Sequence, residues 1–93
     1  MDEQAFEAAL RRDGFSEIVR RPVPPGEALP EHHHDWEVRG LVLRGRFRVD
    51  GLEGAQDCGP GQIFTLPAGQ PHTEAAGPGG AELLIGRRHG PFG

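Results

Sequence analysis

The chain has no lysine, no asparagine and no tyrosine, and it has one cysteine, one methionine and one tryptophan among 93 residues. The single cysteine, Cys58, excludes an internal disulfide and suits a reducing compartment, so a cytoplasmic location is expected. Cys58 lies in a turn-rich stretch and reads as an inert thiol. No apolar run approaches the roughly 20 residues of a membrane-spanning helix, and the first residues lack the apolar centre of a signal peptide. A membrane partner is therefore not expected. The net charge is −4, and the ten arginines form no stripe, which argues against a nucleic-acid partner.

Glycine and proline are plentiful. Fifteen Gly and nine Pro make up about a quarter of the chain. They fall between short apolar runs instead of clustering, so they read as turns and not as disorder. The length suits one domain with a small core. Residues 2–13 predict a helix: Asp2 can cap it, and Phe6, Ala9 and Leu10 share a face. Gly14 is placed to stop it, with Phe15 supplying the apolar contact after the cap. Residues 1–15 are thus a helix and lead-in, and 16–93 a single β domain. Strands are expected at Ser16–Val23, Val38–Leu43, Phe47–Val49, Ile63–Leu66 and Ala81–Arg87, six to eight in all. Arg44-Gly45-Arg46, Asp50-Gly51 and Gly77-Pro78-Gly79-Gly80 read as the turns between them. The class is all-β, a small antiparallel sandwich or barrel.

Chemistry concentrates in two segments. The first runs from Gly26 through His32-His33-His34-Asp35-Trp36-Glu37 to Gly45. The second runs from Gly61 through Pro67 and Gly69 to His72. On a strand, His32 and His34 point to one face and His33 to the other, toward solvent. The turn at Pro67–Gly69 can swing His72 back toward them. Three histidines and one carboxylate suit Fe, Mn, Ni, Co, Cu or Zn as a divalent ion with open coordination positions.

The spacing resembles the cupin superfamily. Its first motif, G-x5-H-x-H-x3–4-E-x6-G, is matched by Gly26, His32, His34 and Gly45. Its second, G-x5-P-x-G-x2-H-x3-N, is matched by Gly61, Pro67, Gly69 and His72. The chain looks most like small stand-alone bacterial cupins. That resemblance implies a jelly-roll (double-stranded β-helix) barrel, a metal at its wide end, and commonly a homodimer. It implies His32, His34, Glu37 and His72 as the metal ligands. Two positions depart from the pattern. The motif glutamate should fall at Val38, and the acid here is Glu37; a slip of one residue on a strand reverses the side chain unless a bulge restores it. Ala76 stands where the second motif has asparagine.

Glu74 is two residues after His72 and shares its face, as a partner of the ligands or a catalytic acid/base. Trp36 beside the ligands can shield the pocket or close a dimer contact. Arg39 can pair with Glu37 or meet an anionic ligand, and His89 with Arg87 and Arg88 reads as a solvated end. Gly40–Leu43 is apolar on both faces, which also suggests a homodimer. The expected function is metal-dependent action on a small organic molecule, dioxygenase- or isomerase-like if catalytic. The alternatives are a non-catalytic module that binds or senses a small ligand, and a barrel with a relic site.

Overall fold

The computed structural model describes residues 1–90. Helix α1, Glu3–Arg12, opens on Asp2, whose carboxylate accepts from the Ala5 N–H at 2.8 Å. It closes through two backbone bonds, Gly14 N–H to Arg11 O at 3.2 Å and Phe15 N–H to Leu10 O at 2.8 Å. Gly14 has φ +86°, the left-handed turn that this closure requires. Phe6 and Leu10 are buried on one face and pack with Phe15 against the sheet. Among the described residues no helix is long and apolar enough to cross a membrane.

Six strands follow: β1 Glu17–Val23, β2 Ala28–His32, β3 Glu37–Gly51, β4 Gly54–Cys58, β5 Ile63–Leu66 and β6 His72–Arg88. All pairings are antiparallel. The two longest strands correct the sequence expectation. Arg44-Gly45-Arg46 is not a hairpin turn, because β3 runs straight through it. Nor do residues 77–80 end a strand, because β6 spans them. Both sites are bends within strands that remain paired to each other. Gly45 pairs with Ala81 and Phe47 with Ala76, so residues 77–80 bulge opposite Arg46 alone. Gly45 has φ +80°, and a Cβ there would lie 2.0 Å from the Gly80 carbonyl oxygen. Only glycine permits that approach.

The bends divide the long strands into two halves. The first half of β3 lies between β5 and the second half of β6, whose other edge is β1. The second half of β3 lies between β4 and the first half of β6, whose other edge is β2. The two four-stranded layers fold over one core, a β-barrel of jelly-roll form. Val23, Val38, Val42, Phe64, Leu83 and Ile85 from one layer meet Phe47, Val49 and Cys58 from the other. Burying each large side chain contributes about 1.5–3 kcal/mol. Cys58 is a core residue, and burial pushes its thiol pKa up.

Leu41 and Leu84 point out of the barrel into a second cluster with Phe6, Leu10 and Phe15. The strand Gly40–Leu43 is thus apolar on both faces. Its outer face, which in the sequence suggests a second copy of the chain, is covered by α1.

Candidate metal centre

The site lies where β2 ends and β6 begins. His32, the last residue of β2, is directly opposite His72, the first of β6. Glu74 follows two residues along β6, so it shares the inward face of His72, and both side chains are buried. His34 lies past the end of β2, so the strand alternation anticipated for His32 and His34 does not place it. Two other contacts do. The Gly69 N–H donates to the His34 carbonyl at 2.7 Å, which ties the turn of the second segment to the loop of the first. Trp36 stacks on the His34 ring, with centroids 5.1 Å apart and planes 10° apart.

The imidazoles converge. Ring centroids are 4.4 Å apart for His32 and His72, 4.9 Å for His34 and His72, and 5.1 Å for His32 and His34. One donor atom from each of His32, His34, His72 and Glu74 lies within 4.8 Å of all the others. The hydrogen bonds aim these atoms. His32 Nδ1 is 2.8 Å from the Pro30 carbonyl, and His72 Nδ1 is 3.0 Å from the Gln70 carbonyl. A carbonyl oxygen only accepts, so both Nδ1 atoms carry a proton and both Nε2 atoms face the cluster. Nε2 of His32 and Nε2 of His72 meet Glu74 Oε2 at 2.9 and 3.0 Å. Backbone anchoring of the outer nitrogen is the arrangement that presents an imidazole to a metal ion, so this donor set fits a divalent transition metal.

For His34 and Glu74, electrostatics favour the metal-binding protonation states. Burial lowers the His34 pKa, and the charges of His72 and His32 lower it further, so the ring is neutral over a wider pH range. Burial alone raises the Glu74 pKa. The Arg21 hydrogen bond and charge, followed by His72 and His32, outweigh it, so the net shift is downward and Glu74 is an anion.

Glu37 does not join this cluster. Its ladder is regular, with Glu37 opposite Arg88 and Val38 opposite Arg87 and Leu66, and no bulge intervenes. Val38 therefore takes the inward face, and Glu37 turns out to accept from Arg88 Nε at 2.8 Å. Arg39 pairs with Asp13 at 2.7 Å instead of Glu37. His33 is exposed. Trp36 covers His34, and its own ring is flanked by Arg87 at 5.5 Å and His89 at 5.4 Å. Arg87 and His89 are both tied to Glu17, at 2.8 and 2.7 Å.

Arg21 escaped the sequence reading. Its Nη1 donates to Glu74 Oε1 at 3.1 Å. The signal was present in β1, where Arg21 falls in phase with Val19 and Val23, both of which pack in the core.

Comparison with known proteins places this geometry in context. A family model described as Cupin domain matches residues 20–85. A structure of unknown function from Rhizobium leguminosarum bv. viciae 3841 is 25% identical with a TM-score of 0.74, covering 78% of this chain and 69% of the other. An RmlC-like cupin from Shewanella frigidimarina is 20% identical with a TM-score of 0.69, covering 81% and 67%. Oxalate decarboxylase of Bacillus subtilis, a protein with Mn(II) centres, is 29% identical with a TM-score of 0.70. That match covers 90% of this chain but only 24% of the decarboxylase. No curated protein matches the chain.

Proposed function

The chain belongs to the cupin family, and from that premise we propose that His32, His34, His72 and Glu74 hold one divalent transition metal that acts on a small organic molecule. The observation that carries this reading is the convergence of three imidazoles and one buried carboxylate, with two of the Nδ1 atoms anchored on backbone carbonyls. Three nitrogens and one oxygen suit Mn, Fe, Co, Ni, Cu or Zn and leave positions open on a five- or six-coordinate ion. The Mn(II) centres of the decarboxylase neighbour are consistent with such a donor set. A metal bound there supplies Lewis-acid polarisation of an oxygen ligand.

The protein's own groups have distinct parts in this reading. The backbone carbonyls of Pro30 and Gln70 orient His32 and His72. Trp36 shields His34 from water. Glu74, considered in the sequence as a proton carrier, serves better as the anionic donor. Both its oxygens are engaged, and its pKa is lowered, which makes it a poor acid near neutral pH. The same observation favours a second reading, a module that binds or senses a small molecule without converting it. Among the described residues no other carboxylate joins the cluster to move a proton.

Elemental analysis of protein purified without a histidine tag tests the metal reading. Near-stoichiometric metal is expected, with loss in His32→Ala and in His72→Ala. Unchanged metal content in the double variant would sink the proposal. Turnover assays of the metal-loaded protein on diketones, phenols, thiols and sugars then separate the two readings: conversion selects the enzyme, and a ligand recovered unchanged selects the binding module.

A further inference from the structure

We infer that this site takes a small anionic ligand of the carboxylate class, and that Arg21 is the residue that reads its charge. The inference rests on the metal reading above and adds the ligand's chemistry to it. An arginine on the inward face of β1, in phase with Val19 and Val23, is costly to desolvate unless something draws it there. Arg21 reaches from β1 to Glu74 Oε1 at 3.1 Å, while Glu74 Oε2 meets the two imidazoles. The Glu74 side chain is 6% exposed and that of Arg21 33%. The guanidinium is thus held at a buried carboxylate while part of it stays accessible to solvent. It carries five N–H donors, and Glu74 engages one of them.

Charge balance points the same way. The three imidazole donors are neutral when they bind a metal, and Arg21 cancels the charge of Glu74. Both charges of a divalent ion are then left without a counter-charge inside the cluster. Of the other acids, Glu37 is committed to Arg88 and Glu17 to Arg87 and His89, while Glu31 and Asp35, beside the ligands in sequence, lie exposed to solvent. A partly buried site with this surplus favours an anion over a neutral ligand. Glu74 also shows the shape that fits: a carboxylate spans Arg21 and the imidazole nitrogens, one oxygen to each side.

The test uses zinc-loaded protein, because Zn(II) does not itself quench the single tryptophan, Trp36. Malonate and its uncharged analogue malonamide are titrated against Trp36 emission in the wild type, Arg21→Lys and Arg21→Gln. The wild type is expected to bind malonate roughly tenfold or more tighter than malonamide. Arg21→Gln, with zinc content retained, should lose most of that preference, and Arg21→Lys should keep part of it. Equal affinity for the two probes in the wild type overturns the inference. So does undiminished malonate preference in Arg21→Gln. If Arg21→Gln cannot hold zinc, the wild-type comparison and Arg21→Lys still decide. A wild type that takes up no zinc overturns the underlying metal reading instead, and elemental analysis shows this before any titration.

Discussion

Replacing Glu74 by glutamine removes the charge of the buried carboxylate and keeps its shape. Two effects should appear. Without metal, Arg21 loses its ionic partner. A hydrogen bond to a charged group is worth about 1.5–3 kcal/mol, and partial exposure of Arg21 brings the expected cost to the lower end. With metal, the site loses its one anionic donor. Loss of a group that merely orients a ligand weakens metal binding by about 10–100-fold, so loss of a donor should reach at least the upper value. A hundredfold weaker Kd removes about 2.7 kcal/mol of metal-linked stabilisation. For a chain of this size, that is roughly 10–20 °C of melting temperature. The assay is thermal unfolding of metal-free protein with and without a fixed excess of zinc. The metal-induced rise should be large in the wild type and mostly absent in Glu74→Gln. Glu37→Gln is the comparison, since it breaks only a partly exposed pair with Arg88, worth about 0–1 kcal/mol. Its metal-induced rise should equal that of the wild type. If Glu74→Gln kept the full rise while Glu37→Gln lost it, the carboxylate of this site would be Glu37, and the geometry argued from Glu74 would be wrong.

Other perturbations probe different parts of the molecule. Gly45→Ala places a Cβ 2.0 Å from the Gly80 oxygen at φ +80°; it should destabilise by more than about 2 kcal/mol in urea titration. Asp13 is held to a pKa of about 2, against 3.8 ordinarily, by hydrogen bonds from Arg12 and then Arg39. Because the folded-state value is the lower one, this contribution is complete above about pH 4 and is lost as the pH falls through about 2. Asp13→Asn should therefore be less stable than the wild type at pH 7, with the gap closing at pH 2, as read by denaturant unfolding at both. Cys58 is 5% exposed with its thiol pKa raised; it should react with a disulfide reagent only at the rate of unfolding, and fast labelling in the native protein would contradict its burial.

Much of the architecture was legible along the chain. The helix announces both ends: Asp2 caps Ala5, and Gly14 with Phe15 closes onto Arg11 and Leu10. These signals are local, since each partner lies within five residues. The apolar runs that became β1 and β5 were readable for the same reason. The bends at Gly45 and 77–80 were not. A glycine in the left-handed region serves equally in a hairpin turn or in a bulge. Which one forms depends on whether a distant strand continues alongside, and here β3 and β6 pair on both sides of the bend.

The site divides along the same line. Residue types and spacing were enough to nominate His32, His34 and His72, because the turn residues that frame them are local. Which carboxylate lies among the histidines was decided in space. The ladder of Val38 with Leu66 and Arg87 leaves one face of β3 to each residue, and the core claims Val38, so Glu37 faces Arg88. Glu74 and Arg21 come from strands 53 positions apart that only folding brings within 3.1 Å. By itself the sequence determined which residue types can bind a metal and where the chain can turn. The tertiary structure decided which acid meets the histidines and which arginine holds it there, because strand register and core packing assign side chains to faces, and neither is written in any one segment.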